Sequence, residues 1–289
     1  MMRLAVVGRG RWGRNIVATL EGWPQVELLA PSRDPQVILA ARPEGVLIAT
    51  PSPTHAEFAR PFIEAGLPTF IEKPFTTDVA DAEQLRDAAL RTGAPVFIGH
   101  VHLYNPAFQT LVATLPRIGP LHRVSCQGFS IAPRIDSSIL WDWLPHFLAM
   151  GRAIGLDPPT HVTARNLAGS DPIASADVRF TCGDVELRIE TNWLGNEKRM
   201  RFEVIGSRGT TTLHESRPTD KVDLQLADTL TNPSYAPDRP LTCELRAFLD
   251  MVESRVQDTR QLELSVSIVR EVATAEASAR QGGSRLPIG

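Results

Sequence analysis

The first thirteen residues constrain this chain more than any other stretch of it. Arg3–Val7 is a short apolar run, and Gly8-Arg9-Gly10-Arg11-Trp12-Gly13 follows it directly. Apolar spacing at Ile16, Val17 and Leu20 then marks a helix that stops near Gly22 and Pro24. A G-x-G-x-x-G between strand and helix allows a tight turn, lets backbone approach a pyrophosphate, and seats that anion on the helix N-terminus. Outside such a context the same letters are only a glycine turn.

The next hundred residues supply the context. Val26–Ala30, Val46–Thr50, Thr69–Ile71 and Val96–Ile98 are near-continuous apolar runs, separated by helical stretches at Gln36–Ala41, Phe58–Ala65 and Asp78–Thr92. Strands apolar on both faces, alternating with helices, predict a doubly wound parallel sheet covered on both sides. Only about 15 residues lie between the second and third runs, room for one short crossover helix. A full mononucleotide-binding half would place a further strand and helix there, so the expectation is a trimmed Rossmann domain.

From about Gly119 the rhythm changes. Val124–Ser130, His161–Asn166, Ala176–Thr181, Val185–Thr191, Arg199–Ile205 and Thr210–His214 read as longer strands, several alternating in polarity. Gly183-Asp184 and Gly206–Gly209 sit between pairs of them as turn signals. This predicts an α+β domain on an open, mostly antiparallel sheet of five or six strands, with Asp228–Pro240 as a loop. Helices at Leu241–Glu253 and Val266–Arg280 end the chain. The expected domains are 1–119 and 120–289, the last helix being free to return to the first.

Thirty Lys and Arg stand against 33 Asp and Glu, with no basic block, which argues against nucleic acid as a partner. No apolar run approaches the roughly 20 residues that span a bilayer. Met1-Met2-Arg3 leads straight into a strand without a secretory pattern, and three widely spaced cysteines suit reduced thiols. The expectation is a soluble cytoplasmic protein.

Several segments carry residues fit for chemistry. At the tip of the second strand, Ser32 and Arg33 offer a hydroxyl and a cationic fork to a ribose 2′-phosphate, favouring NADP; Asp34, curling back, would favour NAD. Thr50-Pro51-Ser52-Pro53-Thr54-His55 and Glu72-Lys73-Pro74 end the third and fourth strands at the carboxyl edge, where open α/β sheets bind ligands. Asp142 and His146, four apart, share a helix face. With Asp142 near the N-cap, Pro145 would fall in the first turn, and His146 would be exposed beside a carboxylate and suited to proton transfer. His100 and His102 alternate as strand residues do, but no third ligand lies nearby, so no metal is expected.

Together these segments resemble the Gfo/Idh/MocA oxidoreductases over almost the whole chain. The resemblance rests on Gly8–Gly13, Ala49–His55, Glu72-Lys73-Pro74, Asp142 with His146, and the Glu244–Leu249 helix, in that order. It implies a Rossmann domain and a substrate domain, NADP or NAD as cofactor, and hydride exchange with a sugar-like or cyclitol alcohol or ketone. Gly8, Arg9, Gly10, Arg11, Trp12, Gly13, Ser32, Arg33, Thr50, Pro51, Ser52, His55, Glu72, Lys73 and Pro74 would line the cofactor. Lys73 would orient or polarise the reacting oxygen, His146 would move its proton, and Asp142 would hold substrate or tune His146. His102, Tyr104, Asn105, Arg134 and Trp141 would complete the sugar pocket. Gly99-His100, Leu103–Ala107, Arg134 and Trp141-Asp142 look most like members acting on nucleotide-linked or amino sugars. Leu144 and Ala149 stand where the family often has glycine and aspartate, which alters the substrate contacts. The resemblance further implies a homodimer or homotetramer formed through the second domain's sheet. Two other functions share the scaffold: a regulator that binds nucleotide or sugar without turnover, and a lyase or glycosidase that recycles its NAD.

Overall fold

Apolar runs too short for helices become the strands of a parallel sheet in this structure, a computed structural model that describes residues 1–131 and 137–289. β1 (Met2–Val7), β2 (Val26–Leu28), β3 (Gly45–Ile48), β4 (Thr69–Glu72) and β5 (Val96–Gly99) lie in the order β2-β1-β3-β4-β5. Every pairing is parallel. The connections are α1 (Arg11–Leu20), α2 (Pro35–Ala40), α3 (His55–Glu64) and α4 (Val79–Thr92). The chain passes from β2 to β3 through α2 alone, so β2 is the edge strand and the sheet is the trimmed one the spacing predicts.

Local chemistry sets the helix ends. Asp34 caps α2 by accepting the Gln36 N–H, with Pro35 at the first position, and Asp78 caps α4 through the Asp81 N–H. α7 (Pro240–Ser254) returns to this sheet: Phe248 meets Phe70 and Phe97 edge-on, at ring separations of 5.6 and 6.0 Å. A methyl group on Gly45 would lie 3.0–3.2 Å from Val252, Leu4 and Phe248, so the helix sits directly on β3.

The second sheet is larger than the strand signals predict. It has nine strands in the order β13-β12-β11-β10-β6-β9-β8-β7-β14. These are β6 (Leu121–Phe129), β7 (His161–Asn166), β8 (Ser175–Cys182), β9 (Val185–Asn192), β10 (Arg199–Gly206), β11 (Gly209–His214), β12 (Val222–Leu226), β13 (Thr229–Thr231) and β14 (Leu286–Pro287). The segment expected to be a loop contains β13, which pairs with β12. β12, between β11 and β13, and the two-residue edge strand β14 lie outside the expected strands, because runs this short carry little apolar periodicity of their own. All pairings are antiparallel except β6 with β9. α5 (Pro106–Ile118) packs on β11 and β12, and α6 (Ile139–Ala153) on β6, β8 and β9.

The chain divides into two compact units, Met1–Val101 with Arg239–Val269, and His102–Asp238 with Arg270–Gly289. α8 (Thr259–Arg280) is shared between them. In the first unit Ser265 of α8 lies 3.5 Å from His100. In the second, Ser278 accepts the Ala164 N–H, and Glu271 pairs with Arg152. No helix among the described residues is long and apolar enough to cross a membrane.

Candidate active site

The glycine turn of the first unit is built by two demands of the fold and one vacancy. Gly8 has φ +104°, and a Cβ there would lie 2.4 Å from the Ala49 carbonyl oxygen. A Cβ on Gly13 would lie 2.1 Å from the Gly8 carbonyl oxygen, so both glycines are fixed by protein neighbours. Gly10, the N-cap of α1, has nothing within 4 Å of where its Cβ would stand. That open ground lies at the start of a ten-residue helix whose first turn carries Arg11 and no acid, with Arg9 and Arg14 exposed beside it. Backbone N–H groups, a helix dipole and flanking cations suit a diphosphate there, and a side chain at position 10 would obstruct it.

The carboxyl edge of the same sheet is tied to this turn. Trp12 of α1 donates its indole N–H to Glu72, which is 7 % exposed at the end of β4. Burial pushes the Glu72 carboxyl up to about 8, against the pull of the Trp12 hydrogen bond and of the neighbouring Lys73 charge. Glu244 on α7 is fully buried, and neither of its carboxyl oxygens has a hydrogen-bond partner. Burial first, and the nearby Glu72 second, hold it well above the usual carboxylate range. Lys73 follows Glu72 half-buried, and its peptide bond to Pro74 is cis. His55, 1 % exposed, places one ring nitrogen 2.8 Å from the Pro74 carbonyl oxygen and the other 3.0 Å from that of Thr50. It is thus a bracket holding the two strand-end loops together. Ser52 is buried, Pro51 is exposed, and the Thr54 hydroxyl bonds Thr50 and the Pro51 carbonyl.

Beyond β2, Ser32 accepts the Asp34 N–H, while Asp34 is committed to its helix cap. The Arg33 guanidinium lies 5.9 Å above the Phe58 ring.

In the second unit the expected position of His146 needs correction. α6 begins at Ile139, so Pro145 lies inside the helix and His146 one turn beyond Asp142, 9 % exposed rather than on an open first turn. Proline within a helix forfeits a hydrogen bond, here to the Trp141 carbonyl, at about 3 kcal/mol. Twelve of the helix's residues are buried, and roughly 1.5–3 kcal/mol for each large apolar side chain outweighs that cost. His102 also differs from expectation: β5 stops at Gly99, and Val101–Tyr104 is a 3₁₀ turn, so His100 and His102 do not share a strand face.

His102 instead meets His146. Their rings are edge-to-face with centroids 4.6 Å apart, and Trp143 stands 6.1 Å from His146 at 62°. The imidazole therefore lies against two rings, with Asp142 half-buried in the first turn of the same helix. Other expected pocket residues have structural partners. Asn105 caps α5 through the Ala107 N–H and donates its amide to Glu215, itself paired with Lys221 at 2.9 Å. Trp141 donates its indole N–H to Glu276. Tyr104 is half-buried in the 3₁₀ turn, and Arg134 lies outside the described residues. Among the described residues no three His, Cys, Asp or Glu side chains cluster as a metal site would require.

Comparison with known proteins accords with this geometry. Residues 18–100 match the GFO_IDH_MocA model, described as an oxidoreductase family with an NAD-binding Rossmann fold. A myo-inositol dehydrogenase from Streptomyces leeuwenhoekii is 24% identical over 244 residues, 72% of this chain and 75% of the relative. A solved structure from Magnetospirillum magnetotacticum MS-1 is 30% identical, with a TM-score of 0.82 over 94% of this chain and 99% of the other. An inositol dehydrogenase homologue from Azotobacter vinelandii, solved with NADH and myo-inositol, has a TM-score of 0.81 at 19% identity, over 99% and 97% of the two chains. The order of motifs, the trimmed Rossmann sheet and these matches lead to one assignment: the chain belongs to the Gfo/Idh/MocA family of NAD-binding oxidoreductases.

Proposed function

We propose that this oxidoreductase moves a hydride between a nicotinamide cofactor and a secondary alcohol or ketone of a sugar-like or cyclitol substrate, with Lys73 and His146 acting on one oxygen. When bound, the nicotinamide accepts or returns the hydride at C4. In the oxidation direction His146 takes the hydroxyl proton as the carbon–hydrogen bond breaks, and in reduction it gives that proton back. Lys73 would hold the same oxygen and favour its partial negative charge. Asp142, one turn before His146, would bind a neighbouring hydroxyl or bias the imidazole. His102 and Tyr104 would border the substrate; Asn105 and Trp141, whose polar groups are engaged elsewhere, would support the pocket wall. Arg134 would meet a carboxylate or phosphate.

The observation that carries the reading is the buried imidazole of His146 on a rigid helix, with two rings against it and a carboxylate one turn away. A regulator that only bound ligand would have no use for a proton-transfer group held so firmly. The similarity to inositol dehydrogenases and to a UDP-N-acetylglucosamine 3-dehydrogenase supports a polyhydroxylated substrate. NADP is the cofactor that Ser32 and Arg33 favour, with NAD the other choice. Assembly of two or four chains through the outward face of the second sheet belongs to the same proposal.

The test is a screen of inositols, free sugars and nucleotide sugars with both cofactors, followed by reduced-nicotinamide absorbance. Turnover is expected for at least one polyol. His146→Ala should leave cofactor binding intact and cut turnover by roughly 10²–10⁴-fold. Product formed without net change in the reduced cofactor would point to a recycling lyase, and an undiminished His146→Ala rate would remove His146 from catalysis.

A further inference from the structure

A helix fixes where a side chain leaves it better than how a ring at its end is turned. The χ1 angle of a helical histidine falls in one of a few wells, but the torsion that turns the imidazole is broad and twofold. That torsion decides which ring nitrogen meets a reacting oxygen, and a general base must lie within hydrogen-bond reach of its proton. His146 therefore needs neighbours that hold its ring as well as a helix that places it.

One neighbour comes from α6 itself. Trp143, three residues earlier, has its ring centroid 6.1 Å from that of His146. Trp143 is in turn wedged: it stacks on Phe147 at 5.7 Å and 13°, and it lies on Gly128 of β6, where a Cβ would stand 2.4–2.7 Å from three of its ring carbons. The second neighbour comes from a different element. His102, half-buried in the 3₁₀ turn Val101–Tyr104, crosses the imidazole at 77° with centroids 4.6 Å apart. Edge-to-face is a favoured arrangement of two rings at this distance. The turn is pinned to the start of α5. The Asn105 N–H donates to the His102 carbonyl at 3.2 Å, and the Gln109 amide donates to the Leu103 carbonyl at 3.3 Å. His100 takes another course, lying 3.5 Å from Ser265, so the two histidines of His100-Val101-His102 serve different places.

We propose that His102 is a positioning residue for His146, its crossed ring fixing the turn of the imidazole that moves the substrate's proton. This rests on the proposed reaction and adds to it a residue whose effect on turnover runs through His146. What His102 supplies in this role is a ring, not a proton. A phenylalanine keeps that ring and loses the titration, whereas alanine loses both.

The experiment is steady-state kinetics of the full chain on myo-inositol, D-glucose and UDP-N-acetylglucosamine with each cofactor. Wild type is compared with His102→Ala, His102→Phe, His146→Ala and the double variant His102→Ala/His146→Ala. A reacting group displaced by about 1 Å costs on the order of a hundredfold in rate. His102→Ala should therefore lower kcat roughly 10–100-fold and leave KM within about twofold, and His102→Phe should recover most of that loss. The double variant should be no slower than His146→Ala by more than about twofold, since a residue acting through another adds nothing once the other is gone. If His102→Ala fails to fold, His102→Gln, which lacks a ring and has a similar reach, takes its place in both arms. With His146→Ala impaired, three results overturn the positioning role alone. These are an unchanged kcat in His102→Ala, whether or not KM rises, a His102→Phe as slow as His102→Ala, and losses that multiply in the double variant. Absence of wild-type turnover, or a fully active His146→Ala, overturns the proposed function and the positioning role with it.

Discussion

Ser32, Arg33 and Asp34 occupy consecutive positions beyond β2, yet their side chains are engaged differently. Asp34 spends an oxygen on the Gln36 N–H, and Ser32 accepts the Asp34 N–H. Arg33 is exposed, rests over Phe58, and has no acidic partner among the described residues. A guanidinium so placed is available to a 2′-phosphate, whereas the acid that would read a 2′-hydroxyl is already used as a cap. Arg33→Ala should therefore weaken NADPH by roughly 10–100-fold, the range for hydrogen bonds to a charged group, and leave NADH within about twofold. Fluorescence titration of both reduced cofactors measures the difference, and equal losses would mean that Arg33 does not read the phosphate. At this scale the sequence was informative wherever backbone alone imposes the residue. Gly8 and Gly13 were legible because no other residue fits them. The partners of Asn105 and Trp141 were not, since Glu215 and Glu276 lie more than a hundred positions away.

Between elements, the closest dependence in the first unit is that of β4 on α1 and α7. Trp12 of α1 donates to Glu72 at the end of β4, and Glu244 of α7 faces the same region with no hydrogen bond of its own. Lys73 is the cation beside Glu72, and Trp12 its neutral donor. Two carboxyls raised by burial are held protonated in the folded chain over a range where the unfolded chain has released them. Between about 4.5 and about 8 the folded state therefore binds more protons than the unfolded one. Stability from this pair is whole below the ordinary carboxylate range and is lost as pH rises through that window. Glu244→Gln keeps the shape of the side chain and removes its titration. Its melting temperature should fall less than that of wild type between pH 5 and pH 8, as scanning calorimetry would show; parallel curves would mean that Glu244 stays ionised. Helix boundaries show the reach of local signals too. Asp78 and Gly93 bound α4 as their residue types require. α6 begins earlier than the Asp142–His146 spacing implies, because a buried apolar face carries the helix past Pro145.

For the whole molecule, the parallel sheet was legible because β1, β3, β4 and β5 are buried on both faces, only the edge strand β2 being half-exposed, and its missing edge because a length of chain cannot be disguised. The antiparallel sheet was read too small: β13 and β14 have three and two residues, and pairing with a neighbour, not a pattern of their own, makes them strands. The same sheet decides the last question, how the chain associates. Its outward face is charged and mixed in sign: Glu186, Arg188 and Glu190 on β9, Asp177 and Arg179 on β8, Arg199, Arg201 and Glu203 on β10. Arg188 reaches Asp177 at 2.7 Å, and Gln127 reaches Glu190 at 3.1 Å. Apolar burial therefore does not drive this face into contact, but a two-fold axis brings each residue of such a face opposite a different one, so both signs can find complements. Assembly through it would be electrostatic and weakened by salt, because exposed charges are screened within about 10 Å at 0.1 M ionic strength. Light scattering at low ionic strength should give two or four chains, and the mass should fall as salt is added. Arg188→Glu, which reverses a charge at the middle of the sheet, should lower the mass without changing cofactor affinity. A single-chain mass at low salt would show that the second sheet remains open to solvent, and an assembly indifferent to both salt and Arg188→Glu would place the contact on another surface.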